Sequence, residues 1–302
     1  MNILGKRYIF FGLSLLIIIP GLIILFAGGI PLSIDFTGGS LLEVTFAGQA
    51  PGTSQVIEVY DNAGIKDVQV QTSDTGSYII RSQFLENDDR DAVLAALSES
   101  IGAVTVVRFD SVGPSIGEQV TSRGTLAVVV SSLLVVLFIA WSFRGITHAF
   151  RYGICAILAM IHDVAIIFSV TAIGSIFWGW EIDSLFLTAL LTVIGFSMQD
   201  TIVVFDRIRE NSNIYRRLEF ETLVNHNIVQ TLQRTINTQL MTVEFLLLAL
   251  AMFGGITLRE FASILLIGLL SGTYSSIFIA APILVVWENK EWRTWFRRPA
   301  TA

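Results

Sequence analysis

Residues 261–287 form a run of 27 amino acids without one charged side chain, far longer than the core helix of a soluble fold requires. A helix rises about 1.5 Å per residue, so such a run can span a hydrocarbon core of about 30 Å. Five more segments of this kind lie at about 8–28, 124–143, 153–177, 184–205 and 236–254, the first two also free of charge. Six membrane crossings are therefore expected in a chain of 302 residues that is 53% apolar and only 15% charged. Lys6 and Arg7 ahead of the first run resemble the start of a secretory signal. The run is too long for a signal core, and no small-x-small cleavage pattern follows it. The sequence from Phe26 to Pro31 reads as the exit of a retained helix. Cys155 is the single cysteine, which excludes an internal disulfide framework and leaves it as a small buried hydrophobe.

Basic residues set the expected orientation. Lys6 and Arg7 precede the first crossing, and Arg144 and Arg151 flank the link between the second and third. Arg207, Arg209, Arg216 and Arg217 follow the fourth, and Lys290, Arg293, Arg297 and Arg298 follow the sixth. All fall on one side of a six-helix path, so both termini are expected in the cytoplasm. The other side receives Glu181, Asp183, the Arg259-Glu260 turn and a long segment, 30–123. That segment carries 13 acidic against 5 basic residues, while the rest of the chain has 12 against 14. Such a balance argues against nucleic-acid binding at either face.

Within the external segment the hydrophobic period changes repeatedly. Leu42, Val44 and Phe46 alternate with polar residues, as in a strand. Val56, Val59, Tyr60 and Ala63 share a helical face that ends at Gly64. Val68 and Val70 give a second strand, Tyr78 to Phe84 a third, Asn87 onward a second helix with Val93, Ala96 and Leu97 inward, and Val104 to Phe109 a last strand. This βαββαβ order predicts a ferredoxin-like α+β domain, unaccompanied by metal or cofactor ligands. Residues 213–233 carry Ile214, Leu218, Val224, Ile228 and Leu232 among polar neighbours, as in an amphipathic helix lying against either protein or lipid. Gly268 and Gly272 form a small-x-x-x-small pair suited to close helix contact. No phosphate-binding Gly-x-x-x-x-Gly-Lys-Ser/Thr loop occurs, so the chain supplies no ATP-driven step and no enzymatic chemistry is expected. The expected domains are 1–29, the first helix; 30–123, the external domain; 124–290, the remaining helices; and 291–302, a cytoplasmic tail.

Several polar groups lie where a membrane makes them costly. An Asp at mid-helix costs roughly 2.5–3.5 kcal/mol on insertion scales. Asp200 sits in the fourth crossing beside Ser197, Gln199 and Thr201, His162 and Asp163 lie in the third, and the fifth opens with Arg234, Asn237, Thr238 and Gln239 and holds Glu244 deeper in. Groups so placed are expected to meet around a polar interior. Asp200 is the leading candidate for a carboxyl that binds and releases a proton as its surroundings change, with fixed pairing between helices as the alternative. Asp163 can pair locally with His162, Arg234 can reach the interface, and Glu244 serves either as a second relay or as a local structural acid.

These residues carry a resemblance. Asp35-Phe36-Thr37-Gly38-Gly39 follows the first helix, and Phe143-Arg144 and His162-Asp163 border and occupy the next two. The run Asp200-Thr201-Ile202-Val203-Val204-Phe205-Asp206-Arg207-Ile208-Arg209-Glu210-Asn211 follows, and then Arg234-Thr235-Ile236-Asn237-Thr238. Over nearly its whole length the chain resembles the SecF branch of the SecD/SecF family of bacterial protein-export membrane proteins, relatives of the resistance-nodulation-division transporters. The resemblance implies an all-α six-helix membrane bundle, half of a twelve-helix assembly completed by SecD. It further implies action with the SecYEG translocon on preproteins at the lipid-embedded inner (plasma) membrane, driven by the proton gradient with H+ as coupling ion and no cofactor. By likeness, Asp200 is the relay carboxylate and Arg234 its partner; the reading of the residues themselves adds Asp163, Glu244, Gln199, Thr201, Asn237 and Thr238 as candidates around them. Asp35, Phe36, Thr37, Gly38 and Gly39 match a signature joining the first helix to the external domain. Gln199 stands where the family pattern has asparagine, Gln239 and Met241 interrupt its Ser/Thr run, and Glu244 is unexpected in the fifth segment. Two other classes remain open: a structural subunit carrying no protons, and half of a small-molecule exporter.

Overall fold

The computed structural model describes residues 2–47, 50–73, 76–144, 149–215, 217–239 and 245–293. The chain divides into two compact units, Met1–Pro31 with Ala127–Ala302, and Leu32–Leu126.

Helix α1 (Arg7–Gly28) precedes the smaller unit, which begins with the single turn α2 (Ile34–Thr37). Four strands follow, β1 (Gly39–Phe46), β2 (Gln69–Thr72), β3 (Tyr78–Ser82) and β4 (Val104–Val112). They are ordered β2-β3-β1-β4, and every neighbouring pair is antiparallel. Helix α3 (Thr53–Asn62) follows β1 and α4 (Asn87–Ser100) follows β3. The period of two in β1 and β3 turns Leu42, Val44, Tyr78 and Ile80 to one side, where Val56, Val59 and Tyr60 of α3 and Val93 and Leu97 of α4 complete a single core. In register, Leu42 faces Ile80 and Val44 faces Tyr78. Helix α5 (Pro114–Ser142) starts in this unit, ten residues before the crossing expected at 124. Proline is well suited to a first helical turn, where its missing N–H costs nothing.

The larger unit holds α1, the remainder of α5, α6 (Ala149–Trp178), α7 (Ser184–Ile214), α8 (Phe220–Gln239), α9 (Phe245–Phe253), α10 (Ile256–Ser275) and α11 (Ala281–Glu288). A π turn, Ser276–Ala280, joins the last two just before Pro282, whose ring and missing N–H disturb a regular ladder. Among the described residues, five helical stretches are long and apolar enough to cross a membrane: Leu4–Gly28, Pro114–Ser142, Ala149–Trp178, Ser184–Ser212 and Leu258–Glu288. The crossing expected at 236–254 is not among them. It falls on the end of α8, on residues 240–244 outside the described set, and on α9.

The amphipathic helix expected at 213–233 is displaced. Helix α7 continues to Ile214, and α8 then runs to Gln239 because no glycine or proline interrupts 220–239. Its inward face, Leu223, Val224, Asn227, Ile228, Thr231, Thr235 and Gln239, is buried against protein. Glycines set the closest approaches between helices. A Cβ on Gly268 of α10 would stand 2.4 Å from Val193 Cγ2 of α7, and one on Gly21 of α1 would stand 2.2 Å from Ser169 Cβ of α6.

Candidate functional site

Two carboxylates lie inside the larger unit on adjacent helices. Asp163 of α6 is 1% exposed and takes hydrogen bonds from three directions. Ser271 of α10 donates to Oδ1 at 2.7 Å, and His162 Nδ1 lies 3.0 Å from the same oxygen. Ser275 of α10 and Ser197 of α7 donate to Oδ2 at 2.6 and 2.5 Å. The hydroxyls converge because Gly272 lets α10 approach α7: a Cβ there would stand 3.1 Å from Ser197 Cβ. Four donors are about what a carboxylate's lone pairs can accept. Asp163 is therefore a clasp joining α6, α7 and α10.

Asp200 stands one helical turn beyond Ser197 on α7 and is 9% exposed. Gln239 at the end of α8, 3% exposed, donates its Nε2 to Asp200 Oδ2 at 2.8 Å, and the Thr273 side chain of α10 lies beside the same carboxylate. Among the described residues no ion pair joins Asp200 to Arg234, and Arg234 lies on the exposed side of α8. Helical geometry explains the exchange. Arg234 and Gln239 stand five positions apart, about 140° around the axis at 3.6 residues per turn, so the face delivering Gln239 turns Arg234 away. Gln199, Asn237 and Thr238 are exposed, and the Thr238 hydroxyl bonds back to the Arg234 carbonyl at 2.8 Å. Thr201 is fully buried, with its hydroxyl unpartnered among the described residues. Glu244 falls outside the described residues. Of the expected constellation, Asp163, Asp200 and Thr201 are buried on α6 and α7, while Arg234, Gln199, Asn237 and Thr238 are exposed.

From sequence alone Ser197 and Gln239 carry no distinct role, and Ser271 and Ser275 escape notice. A signal is nonetheless present: two serines four residues apart in the uncharged run, each three residues beyond a glycine of the 268/272 pair. Among the described residues no group of three His, Cys, Asp or Glu side chains can hold a metal ion.

The glycine signature belongs to the smaller unit and is tightly packed there. Ser33 caps α2 by accepting the Asp35 N–H at 3.2 Å, and the Thr37 hydroxyl donates to the Ser33 carbonyl at 3.2 Å. Gly38 and Gly39 have φ of 71° and 129°, conformations that favour glycine. A Cβ on Gly38 would meet Pro114 Cα at 3.0 Å, and one on Gly39 would meet the Ser82 carbonyl oxygen at 2.7 Å. Thr121 of α5 donates to the Phe36 carbonyl at 3.1 Å. The motif fastens α2, the start of β1 and the first turns of α5 into one joint.

Residues 93–290 match the SecD/SecF C-terminal family of protein export membrane proteins, and residues 23–50 match the SecD/SecF GG motif. The protein translocase subunit SecF of Anaerolinea thermophila is 61% identical over 302 residues, covering 99% of this chain and 98% of its relative. That of Thermobaculum terrenum is 45% identical, covering 99% and 97%. The crystal structure of SecDF, a translocon-associated membrane protein from Thermus thermophilus, superposes with a TM-score of 0.81 at 32% identity. The match covers 96% of this chain and 39% of that longer one. With several membrane-spanning helices, a small antiparallel sheet and these matches, the chain belongs to the SecD/SecF family of protein-export membrane proteins, as a SecF-type subunit of protein translocase.

Proposed function

We propose that this subunit couples the proton motive force to preprotein export, with Asp200 as the group that exchanges the proton. The observation that carries this reading is the Asp200–Gln239 contact. A buried carboxylate accepts from a neutral amide and takes part in no ion pair among the described residues. Asp163, held by four donors, is by contrast built to stay in place. A change in the register of α8 would exchange Gln239 for Arg234 beside Asp200 and so alter what the carboxyl faces. Each proton crossing the membrane supplies about 2.3 kcal/mol per 100 mV, plus the contribution of the pH difference. The work done is movement of a polypeptide, with no covalent chemistry and no cofactor.

The finer architecture belongs to the same proposal. The sixth crossing expected from the sequence is part of it, and both termini face the cytoplasm as the basic clusters direct. The order β2-β3-β1-β4, with α3 and α4 sharing one core, supports a ferredoxin-like reading of the smaller unit on the extracytoplasmic side. A SecDF relative of Thermus thermophilus, 35% identical over 275 residues, aligns with this chain over 36% of its own length. That longer polypeptide supports SecD as the partner half, and the translocon association of the crystallised SecDF supports action beside the SecYEG channel. The decisive experiment follows preprotein export into inverted vesicles under an imposed pH gradient. Asp200→Asn is expected to abolish the gradient-dependent part. Export at the full gradient-driven rate would leave the subunit a structural role only.

A further inference from the structure

One buried titratable ring has no part in this scheme. His162 is 10% exposed at its side chain, and its Nδ1 faces Asp163 Oδ1 at 3.0 Å. Its Nε2 is buried without a hydrogen-bond partner among the described residues. Asp163 already accepts three serine hydroxyls, so it acts as acceptor here too, and the ring hydrogen sits on Nδ1. The tautomer is thereby fixed and the lone pair of Nε2 left open. Tyr274 of α10 stacks on the ring at 6.2 Å and 25°, while its hydroxyl is turned away to the Phe10 carbonyl at 2.8 Å. The imidazole is thus oriented by a carboxylate on one edge and a ring on one face, with its basic nitrogen unused. A buried polar atom left in that condition is costly and calls for an explanation.

We propose that His162 Nε2 is a second proton-holding site of this subunit, separate from Asp200, with Asp163 as its positioning residue. The proposal rests on the proton-coupling reading above. A hydronium ion gives its proton to the Nε2 lone pair, an N–H bond forms and water remains. Release breaks the same bond and returns the proton to water. The imidazolium formed lies against the Asp163 carboxylate, so the uptake is balanced by a charge already in place. The other titratable and charged groups around it are few. Helix α10 brings Tyr274, and α7 brings Asp200, one turn beyond Ser197. Helix α1 carries no charged residue from Tyr8 to Gly28, and the π turn Ser276–Ala280 carries none. The acid of α11, Glu288, is paired with Arg151.

The chain has three histidines, His148, His162 and His226, which makes the site readable by nitrogen-15 spectroscopy. The full chain with its SecD-type partner, carrying His148→Gln and His226→Gln and labelled at histidine, is reconstituted in lipid vesicles. At high pH the ring is expected to give one protonated Nδ1 signal and one bare Nε2 signal, the latter gaining a proton as pH falls. An Nε2–H tautomer, or an Nε2 that takes up no proton while the protein stays folded, would overturn the proposal. His162→Asn retains an N–H toward Asp163 and has no Nε2. It is expected to lower gradient-driven export at least about tenfold, the scale of losing one general acid–base group. Full gradient-driven export in a folded variant would also overturn it. If that variant does not fold, the tautomer measured in the His162 chain decides. Failure of Asp200→Asn to affect export would instead sink the coupling reading, leaving the histidine spectra as an independent result.

Discussion

Gly272 and Ser197 face each other across the α10–α7 contact so closely that a Cβ on the glycine would stand 3.1 Å from the serine Cβ and 3.2 Å from its Cα. That spacing puts Ser271 and Ser275 of α10, together with Ser197, around one carboxylate. Packing and polar site are therefore a single construction: what holds the helices together also decides which hydroxyls reach Asp163.

Enlarging the seam should damage both. At Gly268 even a Cβ would meet Val193 Cγ2 at 2.4 Å, so Gly268→Leu has to push α10 off α7. Overpacking of this kind costs about 1–3 kcal/mol. The expected outcome is a lower unfolding midpoint in detergent, with Gly268→Ala less affected because Val193 can move its methyl group.

Removing the acceptor at the centre of the clasp should cost more. Asp163→Ala strands the Ser197 and Ser271 hydroxyls and an imidazole N–H, while Ser275 keeps the Gly272 carbonyl at 3.1 Å, and each buried unsatisfied group costs about 1–3 kcal/mol. We expect at least about 3 kcal/mol, read as loss of folded protein on thermal or denaturant challenge. Asp163→Asn should fall between the two, since its amide can offer a carbonyl to one pair of donors only.

Asp200 and Gln239 should be energetically coupled and Asp200 and Arg234 should not be in this conformation. A double-mutant cycle with Asp200→Ala and Gln239→Leu is expected to give about 1–2 kcal/mol of interaction, the scale of a buried hydrogen bond. The same cycle with Arg234→Leu should give close to zero in the resting protein. Equal coupling to both would mean that α8 samples both registers at rest.

Gly39 should tolerate no side chain. A methyl group there meets the Ser82 carbonyl oxygen at 2.7 Å while the backbone sits at φ 129°, and the β1–β3 pairing of Ser40 with Ser82 keeps that carbonyl from moving aside. Gly39→Ala is expected to destabilise the smaller unit by about 1–3 kcal/mol, seen as earlier amide exchange in β1 and β3.

The period of two in β1 and β3 and the apolar runs were legible because burial acts on every second or every third-to-fourth residue and leaves a pattern. The end of α8 was less so. Thr231, Thr235 and Gln239 are buried, yet none is apolar, so a hydrophobic pattern stops at Leu232 while the helix continues. The serines of α10 were invisible for a related reason. A serine in an apolar run is cheap, and only the acceptor at Asp163, more than 100 residues away in the chain, gives Ser271 and Ser275 their meaning. Asp200 was legible through its cost, but which residue of α8 meets it depends on rotation about the helix axis, which composition does not encode.

Glu291 offers a prediction at the edge of the larger unit. Burial alone would push its carboxyl up, but hydrogen bonds from Tyr8, Arg7 and Asn289 and the Arg7 charge hold it below the ordinary carboxylate range. Arg7 reaches it with two nitrogens, at 2.6 and 3.2 Å, and the Tyr8 hydroxyl donates at 2.7 Å. A carboxyl whose proton affinity is lower in the folded state stabilises that state above its unfolded pKa, about 4.3 for glutamate. The contribution fades as pH falls through the lower folded value. Solvent reaches the pair, so the amount is about 0.5–1 kcal/mol. Glu291→Gln should therefore be less stable than the parent at pH 7, and the gap should narrow as pH falls below about 4. Unfolding midpoints of the two proteins measured from about pH 7 to about pH 3 check this, and a gap that stays constant across the range would show that the Arg7–Glu291 charge pair contributes nothing.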